Sequence, residues 1–277
     1  MIRLALSARG YAPDRIPEVA ALAKDAGVTE LEVPLLQGGC EEARDTRDVL
    51  HREGVSAPVC AVGLSLSGDK LEEVGNALER SLSCAEILGA GVVNLYCCAC
   101  PGTEPADARK TVVEAARSRM DSAQRRNIVL TLENELSPAP SVAESVDGWL
   151  GVARSVCSPH FGLTLDLANF VASGQTHVFD RLESVWPLLA HVHFKDIAPY
   201  CDETARADPG QQVFQGRDGR FLAVPLGAGI VENGSVVRRL LALPYRGRLT
   251  LESFFDAASL KHAITCVRQF LLRPVLD

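Results

Sequence analysis

An α/β chain closed into a (β/α)8 TIM barrel, one domain spanning residues 1–277, is predicted by three observations. Eight short apolar runs alternate with stretches of helical period. Strands that alternate with helices pair in parallel through right-handed crossovers. Side chains of metal-ligating type recur at the ends of the last four runs, and only a closed ring makes four such strands neighbours around one mouth. In an open, doubly wound sheet the outer ones would lie too far apart.

The strand-like runs begin near Ile2, Glu30, Pro58, Gly91, Ile128, Phe161, Leu188 and Gly247. Between them, Asp14 to Ala26 carries Ile16, Val19, Ala20, Leu22 and Ala23 on one side and stops at Gly27, as an amphipathic helix does. Glu41 to Glu53 is the least apolar of the helical stretches. Asp69 to Leu88 sets Leu71, Val74, Leu78, Leu82 and Ile87 on one face before Gly89. Ala106 to Arg126, Ser141 to Val156, His177 to Trp186, Gly234 to Leu243 and Ala257 to Leu272 complete the set. Ser141 and Glu144 have the spacing of a capping box, and Asn233 is placed to cap the Gly234 helix. Pro199 to Pro225 is long for a connection in a compact domain. It leaves from the mouth that holds the ligand-type residues, where it would act as a lid.

A net charge of −7 argues against nucleic acid as a partner, because phosphate backbones call for clustered Lys and Arg. Arg125-Arg126 and Arg238-Arg239 fall on helices and read as solvated faces. Nine cysteines, an odd count spread through apolar segments, fit reduced thiols rather than disulfides. Cys97-Cys98-Ala99-Cys100 lacks a second pair at ligand spacing, and its first two members should face opposite ways, so buried or loop thiols are expected there. The first residues read as a short strand rather than a signal peptide, and no run is long enough to span a bilayer. A cytoplasmic protein without a membrane partner is the expectation; self-association into a homo-oligomer stays open.

Thr131-Leu132-Glu133, Thr164-Leu165-Asp166 and Thr250-Leu251-Glu252 repeat one pattern, and His191-Val192-His193 keeps its rhythm. Residues two apart on a strand share a face. Each strand therefore sends a small polar group or imidazole inward, then a ligand-type side chain one layer higher. If the strands are parallel around one axis, Glu133, Asp166, His193 and Glu252 meet at a common height as a divalent-metal site. A set of carboxylates and one imidazole suits Mn²⁺, Mg²⁺, Co²⁺ or Zn²⁺. Such an ion has room for two oxygens of a hydroxy-carbonyl substrate and would acidify the neighbouring C–H. Glu133 and Glu252, on non-adjacent strands, are then the expected catalytic acid and base.

The threonines should fill the layer beneath and hydrogen-bond the carboxylates. His191 reads as a core histidine or a support for the ligands above it. Lys195 shares the face of His193; it either steadies a developing oxyanion or a phosphate on the substrate, or pairs with an acid such as Asp196. Glu32 ends the second strand, to meet a substrate hydroxyl or to cap the next loop. Gly227-Ala228-Gly229 is either a phosphate cradle or a tight turn.

The segments His191-Val192-His193-Phe194-Lys195-Asp196, Pro225 to Ile230 and Leu249 to Glu252, with the Glu133 and Asp166 strands in order before them, resemble the xylose-isomerase-like TIM-barrel superfamily. That group of sugar phosphate isomerases/epimerases also holds tagatose-type 3-epimerases, inosose dehydratases and endonuclease IV. The resemblance spans nearly the whole chain. It implies Glu133, Asp166, His193 and Glu252 as metal ligands, with Glu133 and Glu252 also the acid/base pair. Many members carry histidine where this chain has Asn169, which can bind a hydroxyl but cannot shuttle a proton. The epimerase branch's arginine shortly after the strand-seven histidine has no counterpart, since 197–201 contains no basic residue. The expected function is a metal-dependent isomerase or epimerase of a small sugar, sugar phosphate or polyol derivative. A lyase of the inosose-dehydratase kind would use the same site. An endonuclease would need many more histidines than six, and a non-catalytic sugar-binding barrel should lack a ligand.

Overall fold

The computed structural model describes residues 3–9, 11, 13–35, 39–136, 141–200, 212–252 and 257–272. Its strands are β1 (Arg3–Ser7), β2 (Glu30–Pro34), β3 (Ser56–Leu66), β4 (Val92–Ala99), β5 (Val129–Glu133), β6 (Phe161–Asp166), β7 (Leu189–Phe194), β8 (Asp196–Pro199), β9 (Val213–Gln215), β10 (Arg220–Val224) and β11 (Arg248–Leu251). Eight of them close into a parallel barrel in the order β1-β11-β7-β6-β5-β4-β3-β2. The helices are α1 (Ile16–Asp25), α2 (Gly39–Glu53), α3 (Leu71–Leu88), α4 (Pro105–Arg117), α5 (Met120–Arg126), α6 (Val146–Val156), α7 (Leu167–Ala172), α8 (Leu182–Val185), α9 (Asn233–Ala242) and α10 (Ala257–Leu272). Their apolar faces, such as Val74, Leu78, Leu82 and Ala85 of α3, bury against the strands. This is the (β/α)8 architecture the alternation predicts.

Register decides which residues share the interior. Glu133 pairs with Thr164, Asp166 with His193, and His193 with Thr250. The repeated triplets are thus staggered by two residues at two of the three joints rather than matched, as strand tilt in a closed barrel requires.

The structure also departs from the expected elements. The Ala106–Arg126 helix is two helices, α4 and α5; at the break Arg119 turns to donate to the Gly75 carbonyl at 2.9 Å. The His177–Trp186 stretch is mostly 3-10 turns around the four-residue α8. α7 follows β6 without a gap, so strand and helix form one apolar run in which periodicity marks no boundary. The cap of α6 is Ser145, whose Oγ accepts from Gly148 N at 3.1 Å, while Ser141 pairs with Cys98 in an isolated bridge. Asn233 lies inside α9 and uses its amide to donate to the Lys195 carbonyl at 3.2 Å.

The expected lid supplies β9 and β10, which join β8 just before it in a three-stranded antiparallel sheet in the order β8-β10-β9. This sheet brings Phe214 over Lys195, with Nζ 5.1 Å from the ring centre. The rest of that segment, 201–211, lies outside the described residues. Among the described residues, no helix is long and apolar enough to cross a membrane.

Candidate functional site

Glu133 ends β5, Asp166 ends β6, His193 lies in β7 and Glu252 follows β11, and all four reach the same end of the barrel. Each offers one ligand atom, and these atoms lie within 4.8 Å of one another. Among the described residues, one atom each of Glu133, Asp166 and His193 has no hydrogen-bond partner. Glu133 Oε2 accepts from Asn94 Nδ2 at 2.7 Å and Arg9 NH1 at 2.9 Å, while its Oε1 is buried without a hydrogen-bond partner. Asp166 Oδ1 caps α7 by accepting from Asn169 N at 2.9 Å, and its Oδ2 is buried and unbonded, with Lys195 Nζ at 2.9 Å but out of line for a hydrogen bond. His193 Nε2 stands 2.7 Å from Glu32 Oε2, and its Nδ1 is buried and unbonded, 3.4 Å from Glu133 Oε1 and 3.7 Å from Glu252 Oε1. Three buried polar atoms without a hydrogen-bond partner among the described residues, gathered within 4.8 Å of one another, are what a cation of this donor set would satisfy. An imidazole that binds a carboxylate through one nitrogen presents the other in fixed orientation.

Glu32 sits within β2 rather than at its end. It is fully buried, and its Oε2 takes both His193 and His191 Nε2, the latter at 3.0 Å. It therefore supports His193 through Oε2, while its Oε1 is buried without a hydrogen-bond partner among the described residues. Glu32, His191 and His193 also bring atoms within 4.8 Å, and there Glu32 Oε2 is engaged by both ring nitrogens at hydrogen-bond distance. His191 is buried among them as the support the sequence reading anticipated.

The threonines fill the layer but do not bond the carboxylates. Thr164 donates to Thr131 at 2.7 Å, Thr131 donates to Asn94 Oδ1 at 3.3 Å, and Asn94 makes the contact with Glu133. Thr250 Oγ1 is unbonded among the described residues. Asn134 holds Asp166 by its main chain, donating to its carbonyl at 2.8 Å and accepting from its N–H at 2.7 Å. Asn169 is buried, with its side-chain Nδ2 unpartnered among the described residues.

Lys195 pairs with Asp166 and with Glu252 Oε2 at 3.1 Å, not with Asp196. The Gly-x-Gly expectation of a phosphate cradle is overturned by Asp196 itself. Its carboxylate accepts from Gly227 N at 2.8 Å and Gly229 N at 3.1 Å, so the backbone donors are already in use.

Arg9, just past β1, is a site residue that pattern reading did not reveal. Its NH1 meets Glu133 and, at 3.4 Å, Glu252 Oε1, while its NH2 meets Glu135 Oε2 at 2.9 Å. The guanidinium lies 4.1 Å above the Tyr96 ring. An isolated arginine beyond a strand carries no period, and neither Asn94 nor Glu135 belongs to a repeated motif.

Burial opposes every charge here, and specific partners decide the outcome. Arg9 and His193 hold Glu133 well below the carboxylate range. The two histidines do the same for Glu32. Lys195, His193 and Arg9 bring Glu252 to about 2. Burial prevails at Asp166, which stays above its usual value despite Lys195, and at Glu135, which is pushed up to about 7. The surrounding carboxylates raise His193 and Lys195 against the cost of burial, whereas burial lowers His191.

The family model described as xylose isomerase-like TIM barrel matches residues 8–270, and the chain belongs to that family. A solved D-allulose 3-epimerase from Methylomonas sp. superposes with a TM-score of 0.75 at 18% identity, over 97% of this chain and 98% of that one. An L-ribulose 3-epimerase gives a TM-score of 0.75 at 16% identity, covering 98% and 95% respectively. The probable 3-DHS dehydratase AsbF of Bacillus anthracis gives 0.64 at 15% identity, covering 96% and 99%. These likenesses show a common fold. A comparison with curated proteins found no match.

Proposed function

We propose that the chain is a divalent-metal-dependent isomerase or epimerase. Its reaction moves a proton at the carbon beside a carbonyl in a small sugar, sugar phosphate or polyol derivative, through an enediolate. The observation that carries this reading is the convergence of unbonded Glu133 Oε1, Asp166 Oδ2 and His193 Nδ1 with Glu252. Glu133, Asp166, His193 and Glu252 would hold Mn²⁺, Mg²⁺, Co²⁺ or Zn²⁺, which supplies polarisation of the carbonyl and stabilisation of negative charge on its oxygen.

The protein's own groups handle the proton. Arg9, His193 and Lys195 keep Glu133 and Glu252 ionised, so both are ready to accept one. They stand on strands separated by β6 and β7 and approach a substrate between them from different sides. If one takes the proton and the other returns it to the opposite face, the centre is epimerised; if one does both, an aldose and a ketose interconvert. Lys195 offers an ammonium beside Glu252 for a developing oxyanion. The free amide nitrogen of Asn169 is a donor for a substrate hydroxyl. That proteins of the same fold include a D-allulose 3-epimerase and an L-ribulose 3-epimerase supports this choice.

The test is incorporation of solvent deuterium, followed by NMR over a panel of ketoses, inososes and their phosphates with Mn²⁺ present. Exchange that yields an isomer or epimer is expected. Net loss of water would replace the reading with a lyase, and no exchange across the panel would leave a binding barrel.

A further inference from the structure

We infer that this site takes its substrate uncharged, as a free polyol-carbonyl rather than a phosphate ester or a carboxylic acid. The inference rests on the proposed reaction and narrows its substrate class. A (β/α)8 barrel commonly holds a substrate phosphate on backbone N–H groups in the loops after its last strands. Here the described part of that region, Gly227 to Val231, is built around an anion belonging to the protein. The buried Asp196 carboxylate accepts from four backbone N–H groups: Ile197 at 3.0 Å and Val231 at 3.1 Å on Oδ1, Gly227 at 2.8 Å and Gly229 at 3.1 Å on Oδ2. The loop is shaped for that side chain. A Cβ on Gly229 would stand 2.2 Å from Asp196 Oδ1 and 2.4 Å from the Ile197 carbonyl, so only glycine lets the carboxylate in.

Among the described residues, the cations of the site are paired as well. Lys195 lies between Asp166 and Glu252, and Arg9 is forked between Glu133 and Glu135 with Glu252 alongside. Four carboxylates, Glu133, Glu135, Asp166 and Glu252, meet these two cations, so even a bound divalent ion leaves no surplus of positive charge for a dianion. An anionic substrate would either add negative charge that these groups cannot neutralise or draw Lys195 or Arg9 into an exchange of partners inside a buried cluster, both costly. A hydroxyl needs no such exchange, since carboxylate oxygens accept from it and the Asn169 amide donates to it. Phe214, held over Lys195 by the antiparallel sheet, adds an apolar face that suits the C–H side of a sugar.

The experiment compares matched pairs with the Mn²⁺-loaded protein: a free ketose or inosose against its phosphate ester. Deuterium exchange into the free compound should exceed that into the ester at least a hundredfold in kcat/KM. Equal or faster exchange into the ester overturns the inference while leaving the proposed reaction standing. A second measurement does not depend on turnover. Inorganic phosphate at 10 mM should not raise the melting temperature of the metal-free wild type, but should raise that of Asp196→Ala, in which the four N–H groups are released. Stabilisation of the wild type by phosphate overturns the inference even if no compound on the panel exchanges. If Asp196→Ala does not fold, the wild-type arm and the matched pairs decide the question.

Discussion

Replacing Lys195 by methionine removes an ammonium that stands 2.9 Å from Asp166 Oδ2 and 3.1 Å from Glu252 Oε2, with all three side chains less than a tenth exposed. Methionine keeps the length and packing of the chain but leaves two buried carboxylates without that partner. Breaking a buried ion pair from one side costs about 3–5 kcal/mol. With an unfolding entropy of ~2.1 cal/mol/K per residue, a chain of 277 residues shifts by about 1.7 °C per kcal/mol. In EDTA the variant should therefore melt about 5–9 °C below the wild type. A divalent cation held by Asp166 and Glu252 would restore the lost compensation. At a hundred times its Kd a ligand adds about 2.7 kcal/mol, or about 5 °C here. Since the ammonium no longer repels the ion, Mn²⁺ should bind the variant at least tenfold more tightly. Differential scanning fluorimetry across a Mn²⁺ titration, with Kd from electron paramagnetic resonance of the free ion, reads both effects. Equal melting temperatures in EDTA together with unchanged Mn²⁺ affinity would refute the view that Lys195 compensates the cluster.

Glu252→Gln should lower turnover by about 10²–10⁴-fold, the usual contribution of a positioned acid or base, with an unchanged circular dichroism spectrum; retained turnover removes Glu252 from the chemistry. Glu32→Gln, which weakens the support behind His193, should raise the Kd for Mn²⁺ by about 10–100-fold in a direct titration, and an unchanged Kd would make Glu32 a core group only. Burial lifts Glu135 from 4.5 to about 7, so the native state binds this proton more tightly than the unfolded chain does. Its stabilising effect is complete below about 4.5 and is lost as pH rises to about 7; urea midpoints of the metal-free protein should show that loss, Glu135→Gln should not, and parallel profiles count against it.

Much of this molecule is legible from pattern alone, and the reasons differ by element. The barrel follows from alternation, because a strand buried on both faces and a helix buried on one leave different periods. The ligand set follows from the repeated triplets, because side chains two apart share a face. What pattern does not contain is pairing across the interior. Arg9 reaches Glu133 over 124 positions of sequence and Glu32 reaches His193 over 161. Neither contact has a local signature. Glu32 reads as a strand end, yet β2 runs on to Pro34 and its carboxylate is buried beside the two histidines. Asp196 could be read as an acid for Lys195, one residue away. Adjacent strand residues point to opposite faces, and its carboxylate turned outward into the loop at Gly227–Val231 instead.

The stagger of the triplets explains how four strands deliver one cluster. In a (β/α)8 barrel of shear 8, a level ring advances on average by one residue from each strand to the next. From Glu133, whose partner is Thr164, Asp166 lies two residues on; His193 is level with Asp166 in register; Glu252 lies two beyond the partner of His193. The cumulative advances of two, two and four residues compare with one, two and three for a flat ring. Glu133 and His193, from alternate strands β5 and β7, therefore share one level. Asp166 and Glu252, from β6 and β11, stand a single residue above it. Alternate strands fill alternate layers in such barrels, and the cluster is the boundary where two of these layers meet. Triplets in perfect register would have carried each successive side chain below the last, and Glu252 would fall three residues short of a level ring. The two-residue slips at β5–β6 and β7–β11 are what make the repeated sequence pattern into a single site.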